Sequence, residues 1–190
     1  YLDCLNAISR LNEDRRIGCR DELADVVEHF LQDENLTRDE EFRIQITQLQ
    51  CGILWFQAEA RTEAQRFREA ADLFVRIFTD YRDECQQIGQ NHDMCEVLYN
   101  AAINYESDYR IGPAIQIRRR LFQECGDDSE YAQDHGGASQ WAKKAIYQIG
   151  GNYHAIAAYT KAAQYYEEFA RRYNGEEEAP DALRNATVFR

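Results

Sequence analysis

The sequence predicts an all-α fold made of antiparallel helical hairpins that stack on one another. Apolar residues recur at helical spacing along most of the chain. Its 190 residues contain only two prolines, Pro113 and Pro180, and few of the alternating Val, Ile and Thr residues that strands favour. A pattern of small and apolar residues also repeats, because Ala70 and Ala114 are 44 residues apart and Ala114 and Ala162 are 48 apart. These observations favour repeated helical units over one irregular bundle.

The clearest hairpin occupies residues 141–173. Its two helical patterns, separated by a short break, are Ile146, Ile149, Gly150 and Tyr153, followed by Ala162, Tyr166, Phe169 and Tyr173. Gly150 and Ala162 are small where two helices must approach to the usual interaxial distance of about 8–10 Å. A single hairpin leaves an apolar face uncovered, so we expect neighbouring hairpins to pack on it.

The same pattern occurs earlier in the chain and begins again at its end. Leu98, Ala101, Ala102 and Tyr105 match the first helix, and the second helix is matched by Ala114, Leu121 and Cys125 and by Ala70, Phe74, Ile77 and Tyr81. The sequence therefore predicts hairpin repeats at 40–81, 95–125 and 140–173, preceded by degenerate helices within 1–39. The segment DALRNATVFR aligns with EVLYNAAINY, which predicts that 181–190 is the first helix of a truncated further repeat. We expect residues 1–190 to form one helical array.

The remaining segments are predicted from local patterns. Residues 1–10 and 21–33 have apolar residues at helical spacing, and the polar residues 12–18 between them predict a turn. A long helix is predicted over 39–66, and the residues expected to share one face of it are Phe42, Ile46, Leu49, Ile53, Phe56 and Ala60. The polar segment 126–139 is predicted to be an irregular loop that lengthens the last interval to 48 residues.

The order of a large residue, Gly150, Tyr153, Ala162 and Phe169 resembles a tetratricopeptide repeat, a helix–turn–helix unit of about 34 residues. The phrases LYNAAINYE, IGGNYHAIAAYTKAAQYYEEFARRY and EAPDALRNA are similar to those of bacterial envelope members, the outer-membrane-assembly lipoproteins and the TolA-binding coordinator proteins. The resemblance implies hairpins stacked as a right-handed α-solenoid. It also implies a periplasmic or outer-membrane-associated scaffold that holds a multiprotein complex together.

In tetratricopeptide arrays the first helices line a concave groove that binds a peptide or helix of a partner. By this resemblance the groove candidates are Tyr99, Asn100, Ile103, Glu106, Lys144, Tyr147, Gln148, Gly151, His154 and Arg184. Packing between repeats is the alternative interpretation of Tyr99 and Tyr147. The Lys/Asn clamp for carboxylates, found in family members that hold chaperone C-termini, has no match at these positions.

Six cysteines are many for a cytosolic helical protein. The candidate pairs close in sequence are Cys4 with Cys19 and Cys85 with Cys95. A bridge between Cys85 and Cys95 would staple the polar connection between two predicted helices. Cys51 and Cys125 lie on apolar helix faces and are expected to be buried thiols. Disulfides would indicate an extracytoplasmic location.

Composition and motifs argue against several classes of function. The net charge of −12 disfavours nucleic acid as a partner, and the basic run 118–120 is interpreted as a solvated face paired with nearby acids. The spacing of His92 and Cys95, with Cys85 nearby, would suit a zinc ion, but a disulfide explains these cysteines equally well. We expect no metal, cofactor or catalytic residues, because the histidines are scattered and no nucleophile or phosphate-loop motif is present.

The sequence therefore predicts a non-catalytic protein–protein interaction scaffold of a bacterial envelope complex. One alternative is a cytoplasmic regulatory module of a larger, enzymatic protein. Another is a structural segment that self-associates through its terminal helices, since the last segment carries Leu183, Ala186, Val188 and Phe189.

Overall fold

The helices of the structure confirm the all-α prediction. The structure is a computed structural model, and it describes residues 13–86 and 93–190. Within these ranges it contains ten helices and no strand. The helices are α1 (Glu13–Gln32), α2 (Glu40–Glu63), α3 (Phe67–Asp80), α4 (Arg82–Gln86), α5 (Met94–Ser107), α6 (Ile111–Cys125), α7 (Glu130–His135), α8 (Gln140–Ala155), α9 (Tyr159–Arg172) and α10 (Ala179–Val188).

The chain divides into two compact units. Unit 1 is Tyr1–Asn104 and unit 2 is Tyr105–Arg190, so the boundary falls within α5. In unit 1, α2 packs against both α1 and α3. In unit 2, α8 packs against α6 and α9, and α9 packs against α10. The single array over 1–190 stays a prediction. None of the helices in the described ranges is both long and apolar enough to cross a membrane.

Helix α1 begins earlier than predicted. The prediction placed a turn at 12–18, but one helix runs from Glu13 to Gln32. Leu23 and Val27 of α1 pack with Ile53 of α2, which anchors this helix in the core of unit 1. Glu and Arg have helix propensities close to that of Ala, so the polarity of 13–18 did not mark a turn. The helix predicted at 1–10 lies outside the described residues.

Three hairpin turns share one backbone geometry, which repeats at the predicted intervals. Gln65, Tyr109 and Ala157 have positive φ angles of 59°, 58° and 59°. In each turn the next residue donates its N–H to a carbonyl five residues earlier, at 2.8 Å: Arg66 to Arg61, Arg110 to Tyr105 and Ala158 to Tyr153. This is the Schellman ending of a helix. The turns are 44 and 48 residues apart, so the repeated sequence pattern corresponds to a repeated local structure.

Gly150 lies at the crossing of α8 and α9, as predicted. A Cβ atom added to Gly150 would lie 2.9 Å from the ring of Tyr166, closer than side chains tolerate. Ala162 and the counterparts of Gly150 in the earlier hairpins, Ala58 and Ala102, are fully buried. Small residues therefore permit the close approach of the two helices in each hairpin.

The segment 126–139 contains a helix, which corrects the prediction of an irregular loop. Helix α7 begins after Ser129, whose hydroxyl oxygen accepts the N–H of Ala132 at 3.2 Å. It ends at Gly136, which has a left-handed φ of 75°. Tyr173 donates its hydroxyl to Asp127 at 2.6 Å and so ties the start of the segment to the end of α9. Burial and this hydrogen bond to a carboxylate raise the pKa of Tyr173.

The disulfide prediction was wrong in its pairing. Cys85 is bonded to Cys51, with a Cα–Cα distance of 5.9 Å, and not to Cys95. The reason is spatial, since α4 folds back against α2 and brings Cys85 to the helix that carries Cys51. Cys51 and Cys125 were expected to be thiols, but both are disulfide-bonded, as are Cys19 and Cys95. No cysteine is free in the part of the chain that the structure describes.

Gln50 is a polar residue in the core of unit 1. Its side chain is fully buried, and neither amide atom has a hydrogen-bond partner among the described residues. An unsatisfied buried amide costs about 1–3 kcal/mol. Met94 occupies the corresponding position 44 residues later and is buried there.

We therefore expect Gln50→Met to raise the free energy of unfolding by about 1–2 kcal/mol. Thioether and amide side chains are similar in length, so the substitution removes polarity with little change in volume. Urea unfolding without reductant, followed by circular dichroism, measures the difference. A variant less stable than the wild type would contradict this expectation.

Candidate functional site

The strongest candidate site is an exposed row of residues on α2. Leu49, Gly52, Phe56 and Glu59 follow one another at helical spacing and share one face, which we call the α2 stripe. Leu49 and Phe56 are 47% and 54% exposed. Both were predicted to share one face of the helix with Ile53 and Ala60. The structure divides that face, because α1 and α3 both pack on α2 and bury Ile53 and Ala60, whereas Leu49 and Phe56 stay about half exposed.

Gly52 is in the middle of this stripe and has no packing role within the described residues. A Cβ atom added there would meet no atom within 4 Å. Glycine inside a helix costs about 1 kcal/mol relative to alanine. Unlike Gly150, it is not required by a neighbouring helix. An open backbone position between two exposed apolar side chains is suited to the close approach of another molecule.

Carboxylates lie at one end of the stripe. The pKa of Glu96, at the start of α5, is raised mainly by burial and further by the negative charges of Asp93 and Glu59. The effect of Glu59 on Glu96 places the stripe's acidic end beside the first turn of α5. A positively charged group bound there would relieve this repulsion. The surface thus combines an apolar centre with an acidic end.

The stripe corresponds in register to the groove predicted on α5. Leu49, Gly52, Phe56 and Glu59 lie 44 residues before Asp93, Glu96, Asn100 and Ile103. Tyr99, Asn100 and Ile103 are partly buried on α5, and the carbonyl of Asn100 accepts the side-chain amide of Asn104 at 2.9 Å. Subtracting the 44-residue interval from the predicted groove positions on α5 would have identified the stripe from the sequence.

Two groove candidates of unit 2 belong to a buried polar network. Arg118 is fully buried and donates to Glu106, Asn152 and Gln148, the last at 3.0 Å. Asn152 also donates to Glu106 at 2.8 Å. Glu106 and Gln148 thus hold α5, α6 and α8 together. The interpretation of 118–120 as a solvated face was wrong for Arg118, although its pairing with an acid was expected.

The other predicted residues of unit 2 take part in local contacts. Tyr147 packs against the rings of Tyr166 and Phe169, each at 5.3 Å between centroids. The ring of Tyr147 therefore belongs to the packing of α8 on α9. Lys144 Nζ lies 5.1 Å from the centre of the Trp141 ring, and Arg184 forms an ion pair with Asp181 at 2.9 Å. A Cβ atom added to Gly151 would lie 3.6 Å from the Tyr166 hydroxyl.

Equivalent contacts join neighbouring first helices within each unit. In unit 1 the Thr62 hydroxyl donates to the Asn104 side chain at 2.9 Å, which joins α2 to α5. In unit 2 Glu106 accepts from Asn152, and the ring of His154 lies 4.3 Å from that of Phe189 just after α10. Thr62, Glu106 and His154 are spaced by the repeat intervals of 44 and 48 residues. Glu106 and His154, predicted for the groove, therefore contact the next first helix.

Comparison with known proteins supports the fold. No protein-family model matches the chain, and no curated protein matches it either. Among solved structures, the chain is similar to BtubC (BKLC) from P. vanneervenii, a helical-repeat structure, with a TM-score of 0.51 and 12% sequence identity. The match covers 94% of this chain and 66% of the length of that one. At this identity the similarity shows an all-helical fold alone.

Proposed function

We propose that this chain is a tetratricopeptide-type module and a non-catalytic scaffold that binds a partner protein through the α2 stripe. Two observations support the repeat type: the three identical hairpin turns and the equivalent contacts between first helices, both at the predicted intervals. The right-handed solenoid implied by the family resemblance stays a prediction. Proteins of this architecture expose the faces of successive helices to partners.

The observation that carries the binding proposal is Gly52 between two exposed apolar side chains. Leu49 and Phe56 offer apolar surface, and the absent side chain at Gly52 lets a partner backbone or helix approach α2 closely. Glu59 and Glu96 add negative charge at one end. The matching partner segment has apolar side chains followed by Lys or Arg.

The disulfides support an oxidising compartment. Cys19, Cys51, Cys85, Cys95 and Cys125 are all disulfide-bonded, and such bonds are rare in proteins that stay in the cytosol. This favours the bacterial envelope, in the periplasm or at the outer membrane, over a cytoplasmic regulatory module. The partner we propose is accordingly another component of an envelope complex.

Self-association is a second candidate function, and α10 favours it. Helix α10 buries Ala179, Ala182 and Ala186 but leaves Leu183 and Val188 58% and 70% exposed. Leu183 aligns with Leu98 and with Ile146, both buried in their own hairpins. A second copy that covers this face would give a dimer in sedimentation equilibrium, and Leu183→Lys would abolish that dimer.

Site-specific cross-linking tests the binding proposal. We expect a photo-reactive phenylalanine in place of Phe56, in protein produced by its native host cells, to form a defined covalent product with one partner. The same residue in place of Arg68, which is exposed on α3, is the matched control and should give no such product.

Peptide mapping of the product then identifies the cross-linked segment. An apolar segment with nearby Lys or Arg agrees with the proposal, and its synthetic peptide should bind less tightly to Glu96→Gln than to the wild-type protein at low salt. Equal products from both positions, or an acidic segment, would contradict it.

A further inference from the structure

Two cations of unit 2 meet at a pair of tyrosines. Arg119 of α6 donates from Nη2 to the hydroxyl of Tyr153 at 2.8 Å and from Nε to that of Tyr165 at 3.0 Å. The rings of Tyr153 and Tyr165 stack with their centroids 5.5 Å apart. Lys161, in the first turn of α9, places Nζ 5.3 Å from the centre of the Tyr153 ring. We call these four residues the Arg119 cluster.

The positive charges of the cluster are not neutralised by any carboxylate in the described ranges. Within residues 13–86 and 93–190, no carboxylate lies within ion-pair distance of Arg119 or Lys161, although acids outnumber bases in the chain. Both side chains are exposed. The N-terminus of α9 adds partial positive charge, since Ala158 provides no side-chain cap and the first turn contains no acid.

The equivalent position in the first hairpin carries an acidic residue, which unit 2 lacks. Lys161 corresponds, through the intervals of 48 and 44 residues, to Glu69 in α3, and Tyr153 corresponds to Arg61. Glu69 accepts hydrogen bonds from Arg66 at 2.9 Å and from Arg61 at 3.4 Å. Unit 1 therefore has a carboxylate, Glu69, beside its arginines, whereas unit 2 has a second cation, Lys161, at the corresponding position.

The cluster retains several hydrogen-bond donors. Arg119 has five N–H groups and uses two of them on the tyrosines. Each phenol oxygen accepts one of these bonds, so its own hydrogen stays available for donation. Lys161 adds three donors, none of which has a hydrogen-bond partner among the described residues.

We propose that the Arg119 cluster binds a phosphate group, either free or as a phosphomonoester. Two positive charges, one of them held in place by the tyrosines, match the charge of about −1.5 to −2 on a phosphomonoester at pH 7, and its three terminal oxygens can accept from the guanidinium, the ammonium and the phenols. A carboxylate offers half the charge and fewer acceptor sites. The site uses residues of α6, α8 and α9 and none of the α2 stripe, so it does not depend on the binding function proposed above.

Titration with inorganic phosphate and, separately, with phenyl phosphate tests this site. We expect saturable changes at one site in the arginine Nε–Hε and tyrosine ring NMR signals, and affinity at least about tenfold lower in Arg119→Gln and Lys161→Gln. Arg171→Gln, which removes an exposed cation about 15 Å further along α9, is the matched charge control and should bind like the wild type.

The two ligands distinguish the source of the group. Tighter binding of phenyl phosphate assigns the site to phosphomonoesters, and equal binding assigns it to phosphate in general. Acetate that binds as tightly as phosphate, or an affinity that is the same in Arg119→Gln and in Arg171→Gln, would overturn the proposal. Tyr165→Phe, which keeps the ring, should weaken binding without unfolding the hairpin.

Discussion

Replacing both Cys51 and Cys85 by serine lowers the free energy of unfolding by about 4 kcal/mol. The disulfide closes a chain segment with a sequence separation of 34 residues, and the loss of this constraint favours the unfolded ensemble by about that amount. It is also the covalent connection that holds the five-residue helix α4 against α2. Both cysteine positions are buried, and serine is neutral, so the double substitution places no charge in the core.

Urea unfolding of the wild type and of the Cys51→Ser/Cys85→Ser variant, both without reductant, measures this effect. Hydrogen exchange should show the loss first in α4, because α4 is short and is held by the bridge. Peptide mapping of the native protein provides the independent check. A Cys85–Cys95 peptide in place of the Cys51–Cys85 peptide would contradict the pairing on which the expected loss depends.

Glu106→Ala is the second substitution with a large expected effect, a loss of about 3 kcal/mol in the free energy of unfolding. Arg118 is fully buried, and Glu106, whose side chain is 43% exposed, is its acidic partner. Removing the carboxylate leaves a buried guanidinium without a counter-ion and breaks the link from Glu106 to Asn152. The penalty arises from the uncompensated charge rather than from the loss of a surface ion pair.

A second substitution separates this cause from general damage. Phe74 and Tyr166 occupy the positions that correspond to Arg118 in the other hairpins, so an apolar residue fits there. Adding Arg118→Met to Glu106→Ala removes the stranded charge and should recover most of the lost stability. If the double variant is as unstable as Glu106→Ala, charge burial is not the reason for the loss.

The hairpins were predictable because their pattern is local and repeated. The intervals of 44 and 48 residues reappear between the turns at Gln65, Tyr109 and Ala157, and helical periodicity predicted the helices of the three hairpins. Gly150 was predictable for the same reason, since one small residue must lie where each pair of helices crosses. Such features depend on neighbours close in sequence.

The features that were missed depend on contacts between distant residues. In the sequence, Leu49 and Phe56 look like core residues. In the fold, α1 and α3 pack on other sides of α2, so both residues stay about half exposed. Cys95 is nearer to Cys85 in sequence than Cys51 is, yet only the folded chain shows which thiol reaches it. From the sequence alone Arg118 looks like a surface residue, because the residues that bind its guanidinium are 12, 30 and 34 positions away.

The most direct test of the central claim is the affinity of Gly52→Ala for the partner segment that cross-links at Phe56. The added methyl group meets no atom of the described chain, and alanine is a better helix former, so the free energy of unfolding should rise by about 0.5–1 kcal/mol. The same methyl group occupies the place where the partner approaches α2, so affinity should fall at least about tenfold. Greater stability together with weaker binding is the result that we predict. An unchanged affinity in a stable Gly52→Ala protein would show that the α2 stripe is not the binding surface.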